Sequence, residues 1–167
     1  MIMNYSEDLI KQKKELIEDL GVCFETCESM SPLSSRIYAL LILTGSHGLT
    51  FEELTETLYA SKSSISTNLQ LLQTEGIITY KTLPGERKRY FKICDNQLNN
   101  RIDKRIEGWE KEKALHSKIL KYRENLLELN PEITDIKQGI KFNQLQIDLM
   151  DAMITNLKNL KQQIQDN

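Results

Sequence analysis

Helix-start and helix-stop signals follow one another at short intervals between residues 31 and 93. Ser31 and Pro32 mark one start, because serine caps helices and proline is tolerated at the first helical position. Thr50 and Glu53 mark a second start, since they have the spacing of a capping box. The segment therefore predicts a central apolar helix followed closely by a short one.

A third helix is expected over about 62–75, with Ser61 as its cap and Gly76 at its C′ position. At ~100° per residue, the side chains that point to the core are Ile65, Leu69 and Leu72. The opposite face carries small, uncharged polar side chains, namely Ser63, Thr67, Gln70 and Thr74. Such a face can approach a surface closely and hydrogen-bond to it, whereas a solvated helix face usually carries glutamate and lysine.

A two-stranded hairpin is predicted next. Residues 77–82 are rich in β-formers, residues 88–93 alternate basic and apolar side chains, and Pro84-Gly85 lies at the tip between them. Three basic residues lie close to this tip: Arg87, Lys88 and Arg89. Residues 59–94 hold 6 basic and 2 acidic side chains, a local net charge of +4 in a chain whose net charge is −2. This local excess is what a phosphate-binding face requires.

The predicted order is a helix, a short helix, a turn, a helix and a hairpin with a basic tip. This is the winged helix-turn-helix arrangement. The second helix of such a motif must fit the major groove of DNA, so its outer face must be narrow and able to hydrogen-bond. The hairpin, or wing, can then reach the phosphate backbone or the adjacent minor groove.

Long amphipathic helices are expected on both sides of this segment. Residues 5–29 predict an N-terminal helix, and the chain is predicted to be helical from Asp95 to Asn130. Pro131 is expected to begin the last helix at its first position. A helix of about 34 residues is ~50 Å long, so its apolar stripe must be covered by another helix or another subunit.

Three pieces of sequence, LSSRIYALL, SKSSISTNLQLL and PGERKRYF, resemble the GbsR/MarR family of bacterial and archaeal transcriptional regulators. They cover about residues 33–93, roughly a third of the chain. The resemblance implies a dimeric repressor or activator whose flanking helices, including the N-terminal one, build the dimer interface. Repression is the expected sign, because a protein on a promoter blocks polymerase without further machinery.

The resemblance also carries to particular positions of this chain. In the recognition helix, the groove-facing residues are expected to be Ser63, Ser66 and Thr67, with Gln70 and Asn68 next. Ser61 and Ser64 are expected to cap the helix or touch phosphate, and Lys62 to touch phosphate. In the wing, the expected DNA contacts are Arg87, Lys88 and Arg89, with Gly85 allowing the tight turn. Arg36 matches a family position in the preceding helix, where it touches phosphate or a carboxylate.

The expected fold is mainly α with a small β-hairpin: a winged helix-turn-helix flanked by long N- and C-terminal helices that form a dimerisation region. The segments are 1–31 for packing and dimerisation, 32–94 for DNA binding and 95–167 for dimerisation. The expected partners are double-stranded DNA and a second copy of the chain; an effector of unknown identity stays open. The alternative is a winged-helix protein–protein interaction module, which salt-dependent binding to duplex DNA would distinguish.

Cys23 and Cys27 are four residues apart in the predicted N-terminal helix, so both can face one way. Such a pair can hold a metal ion or act as a thiol sensor. A metal site needs further ligands, and His47, His116 and Cys94 lack a recognisable spacing. Because free cysteines are common core residues, the buried structural interpretation is favoured.

Other functional classes find little support in the sequence. His116 is expected to be a satisfied histidine in a packed seam, and Trp109 and Tyr122 are expected to be core residues rather than a cation-binding pocket. There is no glycine-rich phosphate loop, no HExxH pattern and no nucleophile elbow, so neither an enzyme nor a cofactor is expected. No apolar run approaches the ~20 residues of a membrane span, and a secretory signal is lacking, so a cytoplasmic location is expected.

Overall fold

The computed structural model describes residues 6–166 and is mainly helical. It divides into two compact units, Met1–Gln97 and Leu98–Asn167. The first unit contains α1 (Glu7–Glu28), α2 (Pro32–Thr44), α3 (Phe51–Leu58), α4 (Lys62–Thr74), β1 (Ile78–Thr82) and β2 (Arg89–Ile93). The second unit contains nearly all of α5 (Gln97–Leu129) and the whole of α6 (Thr134–Gln165). The predicted mainly helical fold with a small hairpin is confirmed.

The predicted helix caps are present. The Ser31 and Ser61 hydroxyls accept hydrogen bonds from backbone amides of α2 and α4. Thr50 and Glu53 form the capping box, with the Glu53 amide 3.2 Å from the Thr50 hydroxyl and the Thr50 amide 2.7 Å from the Glu53 carboxylate. Gly76 follows α4 with φ +68°, the left-handed conformation that glycine adopts without strain. Local chemistry therefore sets where these helices begin and end.

The core of the first unit is built around α2. Its side chains Ile37, Leu40 and Leu41 are fully buried, and they meet Leu54 of α3 and Ile65 of α4. The prediction that α2 is the central helix is confirmed. Because α3 and α4 pack on the same core, their mutual orientation is set by apolar burial rather than by the short turn that joins them.

The small sheet has one more strand segment than the sequence predicted. Strands β1 and β2 are antiparallel, as expected. Leu49 also pairs with Phe91 of β2, with N–H···O distances of 2.9 and 2.7 Å. Gly48 allows this approach, because a β-carbon at that position would lie 2.5 Å from the Phe91 carbonyl oxygen. The wing is thereby joined to the segment that precedes α3.

Helix α1 packs along α2 through one narrow face, formed by Ile17, Gly21 and Phe24. The ring of Phe24 lies 4.8 Å from that of Tyr38 on α2. Tyr5, the first residue of the predicted N-terminal helix, lies outside the described residues.

The prediction that Cys23 and Cys27 are buried is wrong, because both side chains are exposed. The buried face of α1 contains Phe24, and at ~100° per residue Cys23 and Cys27 lie about 100° and 60° to the same side of it. One-sided packing against α2 therefore leaves the two cysteines in solvent.

The second unit is a helical hairpin whose apolar core includes Ile102, Ile106 and Ile154, with Trp109 packed beside it. The prediction that Pro131 begins the last helix is wrong, since α6 begins at Thr134. The Ile133 amide bonds to the Asn130 carbonyl at 3.3 Å, which makes Pro131 the second residue of a turn. Proline suits that position as well as it suits a helix start.

A buried polar cluster joins α5 and α6. Asn143 is 2% exposed, and its side-chain oxygen accepts from Arg123, which also donates to the Gly139 carbonyl at 2.8 Å. The Asn143 amide nitrogen lies 2.8 Å from Nδ1 of His116. The prediction that His116 is a satisfied histidine is confirmed. Tyr122, by contrast, is 65% exposed, so its placement in the core was wrong.

Candidate nucleic-acid interface

The N-terminal turn of α4 presents hydroxyl groups and one cation. Ser61 caps the helix, and its hydroxyl lies 3.0 Å from that of Ser63 and 2.8 Å from that of Ser64. All three serines are exposed. Lys62 is exposed too and has no hydrogen-bond or ion-pair partner within residues 6–166. A helix N-terminus with these groups offers donors and positive charge to an anion.

The outward face of α4 is polar and uncharged along its first two turns. The exposed residues of this face are Ser63, Ser66, Thr67 and Gln70. The Thr67 hydroxyl donates to the Ser63 carbonyl at 3.0 Å, so it presents its lone pairs and its methyl group outward. A threonine in this state can accept a hydrogen bond from a base or contact the methyl group of thymine.

Asn68 does not belong to this outward face. Its side-chain oxygen accepts from the hydroxyls of Ser31 and Ser34, at 2.9 and 2.7 Å, and its amide donates to the Ser64 carbonyl at 2.8 Å. The side chain therefore ties α4 to the start of α2, and the expectation that Asn68 faces the groove is corrected.

Arg36 has carboxylate partners, the second of the two alternatives expected for it. Its guanidinium donates to Glu18 at 2.9 Å and to Glu25 at 2.6 Å, so it links α2 to α1. These hydrogen bonds raise the pKa of Arg36, because both partners stabilise its charged form. Gly21 makes room for the side chain, since a β-carbon there would lie 3.1 Å from Cγ of Arg36.

The wing carries cations without protein partners. Arg87 and Lys88 are exposed, and neither has a hydrogen-bond or ion-pair partner in the part of the chain that the structure describes. Arg89 is placed differently, because its guanidinium carbon lies 4.6 Å from the centroid of the Tyr80 ring. Gly85 has φ +84° in the turn, which is the role expected of it.

The phenol of Tyr90, just beyond the tip, donates to the Glu86 carboxylate at 2.5 Å. This hydrogen bond is the main reason why the pKa of Tyr90 is raised. The bond also neutralises part of the negative charge that Glu86 would present beside the basic tip.

The outward face of α4 and the wing border one groove of about 500 Å³. One wall is polar and comes from Ser66, Gln70 and Gln73 of α4, and the other is basic and comes from Arg87, Lys88 and Arg89. Phe51 of α3 and Phe91 of β2 also line the groove. The structure therefore brings together two sets of residues that are separated along the chain.

Two polar members of this groove, Gln73 and Glu52, were not predicted from the sequence. Gln73 lies three residues after Gln70 and seven after Ser66, so helical spacing was a signal that could have found it. Glu52, in the first turn of α3, places an acidic group at the groove edge. No sequence signal predicted Glu52, because its proximity depends on how α3 packs.

Known proteins resemble this chain in sequence and in structure. No protein-family model matches the sequence. The chain is similar to the HTH-type transcriptional regulator MmpR5 of Mycobacterium tuberculosis, with 33% identity over 82 residues, 49% of each protein. It thus spans about half the length of this curated relative. A crystal structure of a transcriptional regulator matches 93% of this chain and 99% of its own, with 24% identity and a TM-score of 0.54.

The described helices are also too short or too polar to cross a membrane. The structural match establishes the overall fold, and the sequence match covers only part of the chain. This protein has the fold of a winged-helix regulator and is similar to proteins named as transcriptional regulators.

Proposed function

We propose that the protein is a sequence-specific, double-stranded-DNA-binding transcriptional regulator of the GbsR/MarR type that acts as a homodimeric repressor. In this proposal α4 enters the major groove, and the wing reaches the backbone or the minor groove. One observation carries it: the polar face of α4 and the partnerless cations of the wing border the same groove. A surface of this kind matches a polyanion with hydrogen-bonding groups between its charges.

The cations and the polar side chains have different roles in this proposal. Lys62, Arg87 and Lys88 neutralise phosphates, which supplies affinity for any sequence. Arg89 is held against the Tyr80 ring, so its planar fork loses less freedom when it meets phosphate or a minor-groove base edge.

Base reading is assigned to the first two turns of α4. Gln70 can bond to two atoms of adenine, and Thr67 can meet thymine methyl or accept from an amino group. Ser63 and Ser66 are short enough to let the helix backbone approach the base edges. Arg36 and Asn68 take no part, since both are engaged within the protein.

The homodimer is supported by apolar side chains that the long helices leave exposed. On α5 these include Leu115, Tyr122 and Leu129, which recur every seven residues, and on α6 they include Phe142, Leu145 and Leu149. A seven-residue spacing of apolar side chains is typical of helices that pack against other helices. A dimer would read two half-sites about one helical turn apart, ~34 Å.

The test is binding-site selection from a randomised duplex pool with the purified protein. A two-fold symmetric motif is expected, with half-sites about one turn apart. Absence of any enrichment or salt-dependent binding at low salt overturns the proposal and favours the protein–protein interaction module. A selected motif without two-fold symmetry would overturn the dimer but leave DNA binding in place.

Variants of the wing test its role on the selected site. Arg87→Ala is expected to weaken binding to all sequences and to lower the slope of log affinity against log salt by ~0.9, the value for one phosphate contact. Lys11→Ala is the matched control, because it removes an exposed positive charge on α1, outside the groove. Equal slopes for wild type and Arg87→Ala would remove the wing from the proposed mechanism.

A further inference from the structure

The two exposed cysteines of α1 form a pair that the DNA interface does not use. Their sulfur atoms lie 4.0 Å apart, on successive turns of the helix. Both residues are in solvent, and their i,i+4 spacing on the helix places the two sulfurs side by side. Cys94 is partly buried and separate, and burial raises the pKa of its thiol.

The sulfur–sulfur distance suits a shared ion better than a disulfide. A disulfide needs about 2.05 Å between the sulfurs, so the helix would have to distort. A usual metal–thiolate bond is about 2.3 Å long. An ion bound to both sulfurs at that length holds them ~3.8 Å apart when the S–ion–S angle is tetrahedral and ~4.6 Å apart when it is linear. The observed 4.0 Å lies inside that range, so little movement is required.

The number of available ligands selects the kind of ion. Among the described residues, no group of three or more histidine, cysteine, aspartate or glutamate side chains could hold a metal. Structural zinc takes four ligands, and calcium takes six or more oxygens, so neither fits a pair of thiols. Soft thiolates select Cu(I), which is also stable with only two sulfur ligands.

We propose that Cys23 and Cys27 form a two-coordinate site for a soft, thiophilic monovalent cation such as Cu(I). Binding deprotonates both thiols, releases two protons to solvent and leaves the oxidation state of the ion unchanged. The acidic N-terminal segment favours approach of the cation, since residues 1–31 hold 7 acidic and 3 basic side chains. The bound ion bridges two turns of α1 and stabilises the end of the helix that leads into α2.

The test is anaerobic titration of the reduced full chain with Cu(I) in competition with a chromophoric chelator. One ion per chain is expected, together with an X-ray absorption spectrum that shows sulfur ligands only. Cys23→Ser and Cys27→Ser should each abolish this uptake, and Cys94→Ser is the matched control that should retain it. Because positions 23 and 27 are exposed, far-UV circular dichroism should confirm that these variants fold.

Three results would overturn the site. They are equal uptake by Cys23→Ser and wild type, loss of uptake in Cys94→Ser alone, and one ion per two chains, which would mean that two copies share it. A rise in melting temperature on Cu(I) addition is expected in wild type and in Cys94→Ser, and its absence from wild type would contradict the bridging of α1. None of these readouts depends on DNA binding.

Discussion

Gly48 is the position where a single methyl group should damage the wing most. Its φ and ψ are +73° and 177°, a conformation that residues with a β-carbon rarely adopt. The β-carbon of an alanine there would lie 2.5 Å from the Phe91 carbonyl oxygen and 3.3 Å from the carbonyl carbon of Tyr90. These are backbone atoms, so no side-chain rotation can relieve the contact.

The expected loss of stability has two parts. Backbone strain costs about 1–3 kcal/mol. The clash must also separate Leu49 from Phe91 and break their two backbone hydrogen bonds, which contribute about 0.5–1.5 kcal/mol each. Gly48→Ala should therefore lower the free energy of unfolding by about 2–6 kcal/mol.

Gly45→Ala separates the backbone strain from the clash with Phe91, because Gly45 has nearly the same φ as Gly48. Gly45 has φ +72° and ψ −151°, but a β-carbon there would meet nothing within 4 Å. Gly45→Ala should therefore lower the free energy of unfolding by the backbone strain alone, about 1–3 kcal/mol. Urea unfolding followed by circular dichroism measures both losses, and hydrogen exchange at the Leu49 and Phe91 amides reports the pairing directly.

Two results would refute this prediction. They are an equal loss of stability in the two variants, and Leu49 and Phe91 amides that stay as protected in Gly48→Ala as in Gly45→Ala. Either result would mean that the chain absorbs the methyl group without moving the wing. Weakened DNA binding in Gly48→Ala alone would show that this short pairing positions the basic tip.

Two further predictions concern other parts of the molecule. Thr67→Ala should change the preference at particular base pairs by ~1–3 kcal/mol in a selection experiment. Thr74→Ala, which loses the same kind of hydroxyl-to-carbonyl bond in the last turn of α4, should leave the preference unchanged; equal effects would contradict the placement of Thr67. Asn143→Leu should lower the free energy of unfolding by about 1–3 kcal/mol, because it leaves Arg123 and His116 without their shared partner. A thermal melt measures this, and an unchanged melting temperature would mean that water replaces the lost bonds.

Much of the fold could be predicted because its signals are local. The capping box at Thr50 and Glu53 and the serine cap of α4 act within a few residues, so they are legible in the sequence. The core face of α4 follows from helical spacing in the same way. The outward polar face is the complement of that core face, which is why most of the candidate DNA contacts could be named in advance.

The errors fall where partners are distant along the chain. Asn68 faces Ser31 and Ser34, more than thirty residues away, and nothing in its own helix indicates this. Cys23 and Cys27 were placed in the core because free cysteines are common core residues, but α1 buries only the face that meets α2. The proline after α5 is compatible with a turn or a helix start, and the hydrogen bond from the Ile133 amide to the Asn130 carbonyl places it in a turn.

The sequence by itself determined the order of the helices and the hairpin, most of their ends, and the two chemical surfaces of α4 and the wing. Capping bonds, helical periodicity and turn residues act over a few positions, so they can be recognised in the sequence alone. Only the tertiary structure decided that those two surfaces border one groove, that Arg36 pairs with carboxylates, and that Leu49 joins the sheet. These depend on how α1, α2 and α3 pack, and apolar packing is set by the whole core rather than by any one segment.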